Sequence, residues 1–347
     1  MNSSSCFLFH CSLFHQDVLL ELITKEAGYC GFFHSNIRLA ALLHLSQKQI
    51  MLNSTVGPNG TEPEKWPYAL LFGSVMALGL PLNAVSLWIL LRRHSLNSPS
   101  AVFMVNLAIS DLLLVISLPL RVYFYATGKW PFRIMTCIWI TMLFHNNIRS
   151  SSIFITFISV DRLLAVVYPL RSRHLRTSTN ASKAAALIWL FVVLVNIPES
   201  IIFSQNLNGN NETTCFEFRT KVLTSINTYF QPVLVFAMLA VNIVSTVLVS
   251  FTLSRHLNEV ARFNNKVNVM LIFAMNLMMF TLFFLPVSLV SLSNFLQNAY
   301  TPLLCLASVN CCLDPLLYFF SFDGFWKRKE DVDNSNQNNG QQSLNLI

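Results

Sequence analysis

Charge is the first thing this sequence lacks. Asp, Glu, Lys and Arg make up 11% of its 347 residues, against roughly 25% in ordinary soluble domains. Hydrophobic residues reach 54% and gather in runs of roughly 20 to 25, long enough to cross a hydrocarbon core of about 30 Å. This leaves no room for a soluble catalytic domain of useful size. The eight cysteines show no metal-ligand spacing. Within the apolar runs there is no His-Glu-x-x-His motif and no other His/Asp/Glu constellation of the kind a membrane enzyme needs. Inverted repeats, matched Gly/Pro breaks and rings of charge are missing as well, which argues against a transporter or channel.

Seven long apolar stretches are present, predicted at about 67–92, 99–126, 134–168, 182–203, 223–254, 265–294 and 300–320. They imply an all-α membrane protein, a seven-transmembrane helix bundle over 66–320. Prolines 81, 119, 198, 232, 286 and 315 fall inside them, where neighbouring helices can satisfy the carbonyls that proline frees. The net charge of +7 does not point to nucleic acid, because the basic residues concentrate in alternate connections. They are Arg92-Arg93, then Arg171, Arg173, Arg176 and Lys183, then Arg255, Arg262 and Lys266, and finally Lys327-Arg328-Lys329. That pattern predicts an outside amino terminus and a cytoplasmic carboxy terminus, with the basic face turned to anionic membrane lipid or a G protein. Cys137 opens the third stretch and Cys215 lies in the polar loop before the fifth, both on the oxidising side, so a Cys137–Cys215 disulfide is expected.

Residues 1–65 read as an extracellular tail. Phe7–Phe14 lacks a basic flank and a clear cleavage site, so it makes a poor signal peptide. Met51 precedes the glycosylation sequons at Asn53 and Asn59. A start near Met51, with 1–50 a dispensable extension, is therefore expected. Asn211 carries a further sequon in an outer loop. At the other end, 321–347 reads as a juxtamembrane helix and a disordered tail: Phe322, Phe325 and Trp326 beside Lys327-Arg328-Lys329 suit a short amphipathic helix after the seventh span.

In order along the chain stand Asn83, Asn106-Leu107-Ala108-x-x-Asp111, Asp161-Arg162, Trp189, Pro286 and Asp314-Pro315-x-x-Tyr318. Over about 66–328 this set resembles rhodopsin-like (class A) G-protein-coupled receptors. Asp314 in place of the usual Asn, and Phe284 before Pro286, resemble the purinergic-receptor-like branch. Ser117-Leu118-Pro119-Leu120-Arg121, Trp130-Pro131-Phe132 and the Tyr168–Arg176 string narrow the similarity to lysophosphatidic acid receptors, those of subtype 5 in particular. The resemblance implies a receptor in the plasma membrane that couples a lysophospholipid outside to a heterotrimeric G protein inside, with no enzymatic step. A receptor for another anionic lipid or small acid, or a weakly coupled decoy, stays open.

Arg121, near the outer end of the second span, is the residue expected to capture ligand. Its planar guanidinium can donate two parallel hydrogen bonds to a phosphate monoester, and the resemblance assigns the matching Arg that role. The alternative is an Arg that snorkels or pairs with a loop carboxylate. Lys65 and Lys129 are candidate helpers. Arg149, mid-span in the third helix, either reaches a headgroup or pairs with Glu199, and the pair is favoured. His145 is a pocket residue or a satisfied core histidine. Val287–Ser291 in the sixth span carries no Lys, Arg or His, which argues against a polyphosphate nucleotide. An acyl chain buried beside one basic anchor gains about 0.8 kcal/mol per CH₂.

Asp111, Ser151, Asn310 and Asp314 are, by resemblance, a sodium or proton site, with a hydrogen-bonded network lacking an ion as the alternative. No cofactor apart from that sodium ion is expected. Arg162 is expected to pair with Asp161 at rest and release on activation, while Phe284, Pro286, Pro315 and Tyr318 move in the same switch. Leu163 replaces the Tyr that commonly follows the Arg, and Phe236–Ser250 lacks a mid-span Pro. Both put the efficiency of coupling in doubt.

Overall fold

The computed structural model describes residues 65–93, 98–209, 215–216, 226–255, 263–290 and 299–318. The sequons at Asn53, Asn59 and Asn211, the extension 1–50 and the amphipathic segment after Phe320 lie outside the described residues. Seven helices are long and apolar enough to cross a membrane, and no strand occurs among the described residues.

The first span is Trp66–Arg93. The second, Pro99–Thr127, starts with Ser98 accepting the Ala101 N–H at 3.2 Å and Pro99 in the first turn, where a missing N–H costs nothing. It ends at Gly128, whose left-handed φ of 68° lets its N–H reach the Phe124 carbonyl at 2.8 Å. The third span is Ile134–Val167, the fourth Ser178–Gly209 and the fifth Ile226–Arg255. Hydropathy places the start of the fourth at 182. The helix begins earlier because Thr177 caps its polar first turn, bonding Asn180 N and Ala181 N. The sixth span runs Phe263–Met279, widens into a π-helical turn at Phe280–Phe284 and resumes as Leu285–Val290. That widening falls just before Pro286, where the ring would otherwise strike the preceding turn. The seventh, Tyr300–Ser308, passes a turn at Val309 and continues to Tyr318.

Burial sorts the spans. In its most apolar window the second is 72% buried and the fourth 11%, so the second is central and the fourth peripheral. Leu187, Leu190 and Leu194 of the fourth and Val233, Val244 and Val247 of the fifth stay exposed, as lipid-facing positions do. The Cys137–Cys215 disulfide is formed, with Cα atoms 5.9 Å apart. It marks one end of the bundle, and Asp161 marks the other.

Proline also explains one interhelical bond. Pro315 has no N–H for the carbonyl of Cys311 one turn back. Asn83 of the first span supplies the donor instead, Nδ2 reaching Cys311 O at 2.7 Å. The spans are close here because Gly79 has no side chain. A Cβ at that position would sit 3.0 Å from Cys311 Sγ and 3.1 Å from Val115 Cγ2. Replacing Asn83 with Leu leaves a buried carbonyl without a donor, a loss of about 1–3 kcal/mol. Thermal unfolding of the purified protein in detergent should show a lower midpoint for Asn83→Leu.

Candidate functional site

At the disulfide end, Arg121 lies inside the bundle with 2% of its surface exposed. Aromatic rings enclose it: the guanidinium carbon is 4.4 Å from the Phe144 ring centroid, 4.3 Å from Phe216 and 5.9 Å from Phe72. The snorkelling alternative is not what the structure has. No carboxylate or other acceptor among the described residues bonds Arg121, whose Nε is buried without a partner, and the loop carboxylates Glu212 and Glu217 lie outside the described residues. Ring faces attract a desolvated cation by about 2 kcal/mol, well short of what a counter-ion provides.

Phe216 reaches Arg121 because the disulfide pins its neighbour Cys215 to the third span. Its φ of 70° is rare for an aromatic residue, and Phe124, Tyr125 and Trp130 pack around its ring. Lys65 stands over Phe124 at 5.8 Å. Lys129 is exposed in the turn after the second span, with its backbone joined to Thr127.

A second polar cluster sits deeper. Arg149, 3% exposed, donates to Glu199 and Asn196 of the fourth span and to Gln231 of the fifth, the last at 2.9 Å. The other Glu199 oxygen meets His145 Nδ1 at 2.7 Å. His145 Nε2 lies 3.3 Å from the Tyr300 hydroxyl on the seventh span. Phe144, whose ring meets Arg121, is the residue before His145, so the two clusters adjoin.

In the bundle centre Asn147 Nδ2 donates to Asp111 Oδ1 at 2.9 Å and Ser151 Oγ meets the same oxygen at 3.4 Å. Asn310 Nδ2 donates to Asp314 Oδ2 at 2.7 Å, and the Asp111 and Asp314 carboxyls lie close enough to interact electrostatically. Five oxygens here are buried without a partner: Asn83 Oδ1, Asp111 Oδ2, Asn310 Oδ1, Asp314 Oδ1 and the Tyr318 hydroxyl. Among the described residues no three His, Cys, Asp or Glu side chains gather as a metal site. An all-oxygen set with two carboxyls instead fits a small hard cation or a shared proton.

At the far end the Asp161–Arg162 pairing needs correction. Asp161 Oδ1 accepts from Arg176 Nε at 2.8 Å, and Oδ2 accepts from Ser100 and from Arg176. No carboxylate among the described residues pairs with Arg162, whose Nε has no partner. Arg176 wins because the connection after the third span folds back, with Ser172 Oγ on Leu164 O and Arg176 N on Ser172 O. Phe284 is fully buried against Phe280 at 5.4 Å, in the π-helical turn beside Pro286.

Two further contacts were not expected from the sequence, although Asn106 and Trp189 stand in the ordered set that carries the resemblance. Trp189 Nε1 donates to Asn106 Oδ1 at 2.8 Å, tying the fourth span to the second. Between the third, fifth and sixth spans, Asn242 donates to Thr156 Oγ1 at 2.9 Å and accepts from Ser159 Oγ at 2.6 Å, while Asn276 donates to Ser159 Oγ at 2.5 Å. Three polar residues one helical turn apart on the third span, Ser152, Thr156 and Ser159, were the available signal.

This arrangement is that of a polytopic membrane receptor: seven spans, a buried arginine among aromatic rings at one end, an Asp161–Arg176 pair at the other and buried polar contacts between. The chain belongs to the rhodopsin family of seven-transmembrane receptors, whose family model matches residues 82–318. It is a family of signalling receptors and not of enzymes. The chain is 33% identical to human lysophosphatidic acid receptor 6 over 277 residues, 74% of this chain and 80% of that protein. Human lysophosphatidic acid receptor 4 is 34% identical over 277 residues (74% and 75%). Lysophosphatidic acid receptor 5 of cattle is 32% identical over 284 residues (74% and 76%). These identities are too close together to single out subtype 5.

Hydrogen bonds between membrane helices average about 0.6 kcal/mol and reach about 1.7. Asn242→Leu removes the centre of the three-span knot and Asn276→Leu one arm of it. Thermal unfolding should rank Asn242→Leu as the less stable of the two, and equal midpoints would contradict that geometry.

Proposed function

We propose that the protein is a plasma-membrane receptor for a lysophospholipid, lysophosphatidic acid first, and that it signals through a heterotrimeric G protein. The disulfide end and the amino terminus face outside, and the Asp161 end and the carboxy terminus face the cytoplasm. The observation that carries the ligand assignment is the buried Arg121 with aromatic walls and no counter-ion among the described residues. A phosphate monoester matches a guanidinium fork in shape and charge, and the surrounding Phe72, Phe124 and Phe144 suit the start of an acyl chain. The names of the three relatives point the same way. The absence of Lys, Arg and His from Val287–Ser291 leaves nothing there to hold further phosphates. Ligand energy then shifts an equilibrium between two helix arrangements.

At the other end Arg162, to which no carboxylate among the described residues is bonded, is available to the G protein. Signalling by lysophosphatidic acid should be read as G-protein dissociation in cells that display the receptor. Wild type should respond. Arg121→Ala at equal surface level should lose potency by at least tenfold, and a full response from that variant would remove Arg121 as the anchor.

Asp111, Ser151, Asn310 and Asp314, with Asn147 and Tyr318 alongside, would hold a sodium ion. Bound there, the ion supplies positive charge that neutralises the facing carboxyls and favours the resting arrangement. In thermal unfolding of the purified receptor, sodium chloride should raise the midpoint relative to potassium chloride at equal ionic strength, and Asp111→Asn should abolish the difference. A wild-type midpoint indifferent to the cation would leave the hydrogen-bonded network as the better reading.

A further inference from the structure

We propose that Glu199 sets the charge selectivity of the lipid site: by holding Arg149 and His145 it leaves Arg121 as the single anion anchor and limits the headgroup to one phosphate. This rests on the lipid reading given above and adds a specificity determinant to it.

Two arginines are fully buried among the described residues, Arg121 at 2% exposure and Arg149 at 3%. They differ in one respect. Arg149 has a carboxylate and Arg121 has none among the described residues. Both Glu199 oxygens are committed, one to Arg149 and the other to His145 Nδ1 at 2.7 Å. The clusters are neighbours: Arg121 lies 4.4 Å from the ring of Phe144, the residue before His145, and His145 Nε2 lies 3.3 Å from the Tyr300 hydroxyl. A ligand phosphate on Arg121 therefore comes close to a second guanidinium whose charge is already neutralised.

In a low-dielectric interior that neutralisation matters. A second phosphate placed toward Tyr300 meets the Glu199 carboxylate, and like charges repel strongly where water is excluded. If Glu199 is made neutral, the same region offers two cations side by side, a fitting site for a diphosphate. The polar groups that hold Arg149 in place, Asn196 and Gln231, remain to position it.

The test compares lysophosphatidic acid with the same acylglycerol carrying a diphosphate, read as G-protein dissociation at matched surface level. Wild type should prefer the monophosphate. Glu199→Gln should shift the potency ratio at least tenfold toward the diphosphate. The double variant Arg149→Met with Glu199→Gln should return it to the wild-type value. His145→Lys adds a cation beside Glu199 without stranding a charge, so it should move the ratio the same way and serves where Glu199→Gln fails to reach the surface. An unchanged ratio in whichever of these two variants is displayed overturns the proposal, as does a shift that persists undiminished in the double variant. Wild type silent to both lipids overturns the lipid reading itself, and this selectivity with it.

Discussion

A guanidinium enclosed in a membrane-spanning bundle, with no carboxylate beside it among the described residues, is the constraint on which the rest turns. Removing a charge from water costs several kcal/mol after relaxation, and a membrane interior offers little in return. Arg121 receives partial compensation from three ring faces. The structure goes to some length to provide one of them: Phe216 is carried over Arg121 on a segment pinned by the Cys137–Cys215 disulfide and held at a left-handed backbone angle. What the rings do not provide is an acceptor for the donors of the guanidinium fork. An anion entering from the disulfide end would supply it.

The other charges of the bundle follow a contrasting rule. Arg149 is locked to Glu199, and Asp161 to Arg176. The second lock lies at the opposite end, where Arg176 takes the Asp161 oxygens. At each end one arginine, Arg121 or Arg162, has no carboxylate bonded to it among the described residues. Between them lie contacts that a helix movement must rearrange: the facing carboxyls of Asp111 and Asp314, and the Ser159–Asn242–Asn276 knot that joins the third, fifth and sixth spans. Such packed polar contacts have discrete arrangements and do not deform smoothly, which is how a small displacement at one end becomes a switch at the other.

The seven spans and the disulfide were legible in the sequence because both rest on local signals, long apolar runs and the sidedness of two cysteines. Arg121 stood out because a cation near a span end is conspicuous, and Arg149 with Glu199 because an intramembrane charge needs a partner. The Asp161–Arg162 pairing was misread for a geometric reason. Adjacent residues on a helix point about 100° apart, and whether they pair depends on what the next connection brings up, here Arg176. The early start of the fourth span was hidden by its polar first turn. The three-span knot was not legible either. Serine, threonine and asparagine are common within membrane helices, and only the packing of three helices shows that Ser159, Asn242 and Asn276 meet.

The central claim, that the buried Arg121 is the anchor for one phosphate, is tested most directly by ligand-induced stabilisation of the purified receptor. Lysophosphatidic acid and the monoacylglycerol that differs from it only in lacking the phosphate should be titrated against the thermal unfolding midpoint of wild type and Arg121→Met. A ligand that binds the folded state alone stabilises it in proportion to the logarithm of its occupancy ratio. The account predicts that the phosphorylated lipid raises the wild-type midpoint, that the monoacylglycerol does so much less, and that Arg121→Met erases the difference. Equal stabilisation of wild type by the two lipids would contradict it.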